Sequence, residues 1–188
     1  MMIEQIRREH GYMVRLLAIL RKKLNKIKEE QPINYSLVKE IVDYLSSHSE
    51  STHHPKEDIL YQYYMEHYGA AHTVENQEMK NLELEHKVLS EKTHEFMGIV
   101  DMILQDAVVP LDVFSEQLES FILEQKRHLD FEEREILPLI SETFTTEDWQ
   151  AVESQWDKSD DDPVFGDTIA DKYKQLAERV RQTEDETL

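Results

Sequence analysis

The chain has 188 residues, a formal net charge of -19 and no cysteine. This length suits one domain with a buried core. The surplus of acidic residues argues against partners with a negatively charged surface, both nucleic acid and anionic membranes. The lack of cysteine excludes disulfides, thiolate catalysis and cysteine-ligated zinc or iron–sulfur sites.

Only four glycines and five prolines leave little material for strands and tight turns. The abundance of Glu, Lys, Leu and Gln favours helix, so we predict an all-α protein. No apolar run approaches the ~20 residues of a membrane span. The N-terminus is amphipathic without an apolar signal-peptide core, and we therefore expect a cytoplasmic location.

The first half of the chain predicts two long helices. Helix 1 should cover residues 2–30, because its apolar side chains recur every three or four positions in a stripe that also contains His10. Pro32 marks a turn. Helix 2 should cover residues 36–67, with Gly69 just beyond its end.

The second half repeats this plan. Helix 3 should cover residues 74–106, and a shift of the helix 1 stripe by 76 positions places His10 on His86 and every apolar position on its counterpart. Helix 4 should cover residues 112–143. Four long helices joined by short loops predict an antiparallel up-down-up-down four-helix bundle over residues 1–144.

Residues 145–188 predict a helical extension that packs on or beside the bundle. Thr145 and Asp148 have the spacing of a capping box, which indicates a short helix over 149–156. An acidic loop over 159–163 and a last amphipathic helix over 167–182 should follow.

Four histidines and two glutamates occur as two copies of one pattern, in which a lone His precedes a His-x-x-x-Glu pair. The residues are His10, His53 and Glu57 in the first copy and His86, His128 and Glu132 in the second. Residues four apart share one helical face. At 1.5 Å rise per residue, the lone His and the pair of each hairpin lie level to within roughly 1.5 Å in the first and roughly 3 Å in the second.

All six side chains should therefore meet at one level of the bundle. Buried carboxylates are costly unless they are paired or metal-bound, and no Lys or Arg is predicted on the inner stripes at this level. Imidazole and carboxylate groups accept iron and manganese, and also zinc. We predict a site for two divalent metal ions with positions open to water or a small ligand.

A second pair with the same spacing, His54 and Asp58, is an alternative to His53 and Glu57. The internal repeat favours His53 and Glu57, because these two align with the pair of the second copy. Pro55 lies inside the predicted helix 2 and should kink it beside the site.

Four strings carry a family resemblance. They are Glu-His-Gly-Tyr-Met, His-His-Pro-Lys-Glu-Asp-Ile-Leu-Tyr, Leu-Glu-His-Lys and His-Leu-Asp-Phe-Glu-Glu-Arg-Glu-Ile-Leu-Pro. In this order they resemble the hemerythrin-like, or HHE cation-binding, family over about residues 3–142. The resemblance implies a four-helix bundle around two non-haem iron ions bridged by carboxylates and an oxo or hydroxo group. The implied ligands are His10, His53, Glu57, His86, His128 and Glu132.

One position departs from the oxygen-carrying members of this family, which have a further histidine one turn after the helix 3 ligand. This chain has Ser90 there, and His94 lies about 6 Å further along the axis. One iron would then lack a ligand, which favours reactivity toward O2, NO or peroxide over reversible O2 storage.

We therefore expect a protein that binds or senses O2 or NO. The alternatives are a di-iron enzyme (peroxidase, NO reductase or O2-activating oxidase), and iron handling, storage or repair of iron centres. Repair is the weaker expectation, because members with that role carry an N-terminal segment with cysteines.

Several neighbouring residues have two interpretations. Glu9 and Glu85 precede the lone histidines and are expected at the surface, with a role as acceptors of an imidazole N–H as the alternative. Tyr12, Tyr61 and Tyr64 are expected as core or rim residues, with a hydrogen bond to a bound ligand as the alternative. The remaining histidines are expected to be structural or exposed: His48, His67, His72 and His94.

Overall fold

The computed structural model describes residues 1–70, 73–156, 162, 164–165 and 173–185. Over these residues the chain is helical and contains no strand, which confirms the all-α class and the helical bundle. The helices are α1 (Met2–Lys28), α2 (Tyr35–His48), α3 (His54–Tyr68), α4 (Val74–Leu104), α5 (Leu111–Phe131), α6 (Leu137–Thr143), α7 (Thr146–Ser154) and α8 (Lys174–Asp185). The up-down alternation of helix directions stays a prediction.

Side-chain caps fix the start of three helices. Asn34 accepts a hydrogen bond from the amide of Leu37 at 3.1 Å and so starts α2. Thr73 accepts one from the amide of Asn76 and starts α4. The predicted capping box before α7 is present, since Thr145 and Asp148 each accept the other's backbone N–H.

Helices 2 and 4 were predicted as continuous, but each is interrupted by a π-helical segment, over Ser49–His53 and Glu132–Ile136. After each segment, the next residue donates its amide to the carbonyl five residues back. A proline then follows at the second position of the next helix, Pro55 in α3 and Pro138 in α6. Because proline has no N–H for the carbonyl four residues earlier, the helix widens locally. The predicted disturbance at Pro55 is thus a change of winding, and it has a counterpart at Pro138.

Two apolar cores lie on either side of the six predicted site residues. The larger contains Leu20, Ile41, Val100 and Leu118 among others, and the smaller contains Ile6, Leu60, Leu82 and Ile136 among others. Along α1, His10 falls between Ile6 of the smaller core and Met13 of the larger. The bundle therefore has a polar layer between two apolar ones.

The C-terminal helices pack on the bundle. α7 contacts α3, and Val152 joins the smaller core. α8 contacts α1 and α2, and Val180 joins the larger core. Except for Asp162, the predicted acidic loop over 159–163 lies outside the described residues, as does the start of the predicted last helix. The division into a bundle and an extension stays a prediction.

No helix among the described residues is both long and apolar enough to cross a membrane.

Candidate metal centre

The six predicted residues meet in the polar layer, each at most 5% exposed. They come from α1, α3, α4 and α5 and from the ends of the two π-helical segments. Two groups of potential ligand atoms form, and the atoms of each lie within 4.8 Å of one another. The first group is His10, His53 and Glu57, and the second is His54, Glu57, His86 and His128.

Glu57 reaches into both groups. One of its oxygens, Oε1, lies 2.9 Å from Nε2 of His10 and 3.1 Å from Nε2 of His53. The other, Oε2, lies 3.5 Å from Nε2 of His86. This is the placement of a carboxylate that can bridge two cations.

Glu132 belongs to neither group of ligand atoms but approaches the same imidazoles from the opposite side. Its Oε1 lies 3.3 Å from Nε2 of His128 and 3.4 Å from Nε2 of His86, while its Oε2 lies 3.5 Å from Nε2 of His10. Both carboxylates therefore face imidazoles that come from both halves of the chain.

The inward-facing atoms fit a metal cation. Among the described residues, several fully buried polar atoms of the layer have no hydrogen-bond partner: His53 Nε2, Glu57 Oε2, His128 Nε2 and Glu132 Oε2. Buried polar atoms without a partner are costly and rare. Imidazole nitrogens and carboxylate oxygens that converge in this way form a donor set for iron, manganese or zinc.

Each of the four predicted histidines also has a carboxylate at its outer nitrogen, Nδ1. Within a half of the chain, His53 pairs with Glu9 at 2.7 Å and His128 approaches Glu85 at 3.7 Å. Such partners fix the tautomer and ring orientation of metal-binding histidines. Glu9 is buried and therefore has the alternative role, as the partner of His53 and not of its own neighbour His10. Glu85 lies beyond hydrogen-bond distance of His128.

The other two outer carboxylates connect the halves. Nδ1 of His10 lies 2.7 Å from Glu133, and Nδ1 of His86 lies 3.2 Å from Asp58. Asp58 directly follows Glu57 in the sequence, and Glu133 directly follows Glu132. The sequence prediction did not include Glu133, and it considered Asp58 only as a possible metal ligand. The adjacency of Asp58 to Glu57 and of Glu133 to Glu132 was the available signal.

Burial and acidic partners act in opposite directions on the site histidines. Burial lowers the pKa of His10, but hydrogen bonds with Glu133 and Glu57 outweigh it and raise that pKa to about 10. The same balance raises the pKa of His128 to about 10 and that of His86 to about 9. Protons and metal cations thus compete for the same ring nitrogens.

His54 and His53 both belong to the layer, so the two were not alternatives. The ring of His54 stacks on that of His86 with centroids 4.0 Å apart. Burial lowers the pKa of His54 well below its ordinary value, and the neighbouring His86 adds to this effect. Asp58 serves as the partner of His86, as described above, and Glu57 remains the inner carboxylate.

Lys56 is a buried cation that sequence analysis did not place in the layer. Its ammonium donates to Oε1 of Glu9 at 2.7 Å and lies 4.7 Å from the centre of the Trp156 ring. Burial raises the pKa of Glu9, but His53 and Lys56 outweigh it and lower that pKa to about 2. Lys56 therefore neutralises an outer carboxylate and leaves the two bridging glutamates to the imidazoles.

Of the three tyrosines considered, one touches the layer. Tyr61 is buried and donates its hydroxyl to Oε1 of Glu132 at 2.8 Å. Tyr64 packs in the smaller core, and Tyr12 stacks on Phe165 at 4.5 Å.

The remaining histidines lie away from the two groups of ligand atoms. His48 is buried, stacks on Tyr44 and lies 3.5 Å from Asp162. His67 and His94 are exposed, and each donates to a backbone carbonyl one turn earlier. His72 lies outside the described residues.

Comparison with known proteins matches residues 1–140 to the hemerythrin HHE cation-binding domain. The chain belongs to the hemerythrin HHE cation-binding family. Searches against curated proteins and against solved structures gave no match. The hemerythrin HHE match ends just after α5 and its π-helical segment and so contains all six predicted ligands. The converging histidines and glutamates therefore all lie inside the matched cation-binding domain.

Proposed function

We propose that the protein holds two non-haem iron ions in the polar layer and there binds or senses O2 or NO. The observation that carries this proposal is the pair of carboxylates, Glu57 and Glu132, each within 3.5 Å of imidazoles on both sides. A donor set of imidazoles and carboxylates suits iron, and it also accepts zinc or manganese. His10, His53, His86 and His128 would complete the ligand set.

Iron bound in such a site supplies coordination positions at which a small diatomic ligand or peroxide can bind. The chain's own residues prepare those positions. The outer carboxylates hold the imidazoles with Nε2 turned inward. The two apolar cores flank the layer above and below and leave it open to solvent only from the side. The acidic surface of the protein gives no attraction for nucleic acid or anionic membrane, which leaves a small molecule as the expected partner.

Metal analysis and visible spectroscopy of anaerobically reduced, iron-reconstituted protein test the proposal. We expect about two irons per chain and a visible spectrum that changes on addition of O2 or NO. A His10→Ala, His86→Ala double variant should lose both. The matched control is His67→Ala, His94→Ala, which removes two exposed histidines and should behave like wild type. Less than one iron per wild-type chain would contradict the proposal.

A second candidate, a redox enzyme built on the same centre, is favoured by one contact. The buried hydroxyl of Tyr61 donates to a bridging glutamate, where it can control a proton beside the reacting ligand. Turnover of peroxide, NO or O2 with an added reductant, and its loss in Tyr61→Phe at unchanged iron content, would favour the enzyme. A stable adduct without turnover favours the binding protein.

A further inference from the structure

His54 stands where the polar layer meets solvent. It follows His53 directly, and neighbouring residues of a helix project about 100° apart. His53 joins His10 in the first group of ligand atoms, while His54 joins His86 and His128 in the second. Its ring stacks on His86 at 4.0 Å and meets His128 edge-on at 6.1 Å between centroids.

The hydrogen bonding of His54 differs from that of the four predicted histidines. Each of those has a carboxylate at Nδ1. His54 makes no hydrogen bond or ion pair within the described part of the chain. The His54 imidazole is half-buried and lies beside two imidazoles of the cation-binding layer. Because neither of its nitrogens is engaged, one of them can coordinate a metal ion.

α4 offers no second imidazole on this side of the layer. Ser90, one turn after His86, donates its hydroxyl to Oε1 of Glu50 at 2.5 Å. His94, a turn further on, is exposed and bonds the carbonyl of Ser90. The ring that does reach this group of ligand atoms comes from α3, across the helix interface.

We propose that His54 is a fifth imidazole ligand of the metal pair. The ion beside His86 and His128 then has three imidazoles, and the ion beside His10 and His53 has two. The two ions therefore have unequal numbers of imidazoles. This inference rests on the proposed di-iron function.

His54 also lines a surface cavity of about 330 Å³, together with Glu50, Asp58, His86 and Ser90. This cavity lies between α3 and α4 and is open to solvent. It is large enough for a free imidazole molecule, and two of its lining residues, His54 and His86, belong to the second group of ligand atoms. Removal of the His54 side chain should therefore create a position that added imidazole can reach.

Anaerobic Fe(II) titration in competition with a chelator tests the inference. In His54→Ala one iron, the ion beside His86 and His128, should be held at least about tenfold less tightly. Loss of a hydrogen-bond partner of a metal ligand already costs about 10–100-fold in affinity. Free imidazole should restore that affinity. His10→Ala should lose iron without rescue, since its side chain is buried away from the cavity, and His94→Ala should match wild type.

X-ray absorption gives a second, independent measurement through the number of imidazoles per iron pair. His54→Leu has the side chain found at the equivalent position of α5, Leu129, and should show one imidazole fewer than wild type. It replaces His54→Ala if circular dichroism shows that the alanine variant has lost helix.

The outcomes separate the two proposals. Two irons in wild type with unchanged affinity in His54→Ala would overturn the role of His54 and leave the di-iron function standing. Weaker binding without imidazole rescue, at an unchanged imidazole count, would assign His54 a structural role and overturn the inference too. Less than one iron in wild type would overturn both.

Discussion

The two helix pairs of this protein use one plan but differ on one face. A shift of 75 or 76 positions carries each inner ligand and each outer carboxylate of the first pair onto its counterpart in the second. The polar residues of α3 with apolar counterparts include three beside the layer: His54 corresponds to Leu129, Lys56 to Phe131 and Tyr61 to Ile136. All three touch the layer or its outer carboxylates. The shared residues define a cation site, and the unshared ones distinguish its two ends.

Replacement of a bridging glutamate should have the largest effect. We expect Glu57→Gln to reduce iron from two per chain to less than one, because this carboxylate belongs to both groups of ligand atoms. Glu132→Gln should have a similar effect if the two halves contribute equally. Metal analysis after reconstitution checks this. The control is Glu135→Gln, an exposed glutamate on the same π-helical segment as Glu132. Full iron content in Glu57→Gln would contradict the shared role.

The outer carboxylates should have the second-largest effect, and the free energy of unfolding should depend on which half of the chain is changed. Glu9→Gln leaves the buried Lys56 unpaired, and loss of one partner of a buried ion pair costs about 3–5 kcal/mol. Glu85→Gln should cost much less, since Glu85 is 31% exposed and 3.7 Å from His128. Urea unfolding of both variants gives the comparison.

A double variant identifies the source of that cost. Glu9→Gln with Lys56→Met removes both charges and should recover most of the stability lost in Glu9→Gln alone. If it does not, the cost lies in the hydrogen bond between Glu9 and His53 and not in the uncompensated ammonium.

Tyr61→Phe should have a moderate effect. It removes a hydroxyl that donates to a buried carboxylate, and hydrogen bonds to charged groups contribute about 1.5–3 kcal/mol. Tyr64→Phe is the matched control, because Tyr64 lies one turn further along α3. Equal free energies of unfolding for the two variants would show that the contact with Glu132 adds nothing.

The smallest effect concerns α7, which packs on α3. Hydrogen bonds from Tyr68, Thr145 and Tyr63 lower the pKa of Asp148 below its ordinary value. A depressed carboxyl pKa adds stability above the unfolded pKa of about 4, and this stability is lost as the pH falls through the folded value. Asp148→Asn should therefore lower Tm at pH 7, with a difference from wild type that shrinks below about pH 4. A constant difference from pH 7 to pH 3 would contradict this.

The stripes and spacings predicted the helices and the convergence of six residues, because helical period and rise convert sequence distance into spatial position. They could not predict contacts decided by side-chain direction between helices. Lys56 lies next to a ligand in sequence, yet whether it points inward depends on Glu9 of another helix. The sequence offered His53 and His54 as alternative ligands. Both lie in the layer, because they are adjacent where the π-helical segment ends and α3 begins.

The π-helical segments were missed for a local reason. Hydrophobic periodicity is insensitive to one widened turn, and only the prolines signalled the change. The prediction at Pro55 located an irregularity in the helix, but the predicted form was a kink and not a π-helical turn. No irregularity was predicted at Pro138. The family match over 1–140 supports the ligand pattern as a whole, while the role of each residue rests on its contacts.

The exchange of outer carboxylates between the halves limits how this site can be assembled. His10 pairs with Glu133 and His86 with Asp58, so neither half of the chain orients both of its own lone and paired imidazoles by itself. Each half therefore completes the histidines of the other, and the site requires both halves to be folded together.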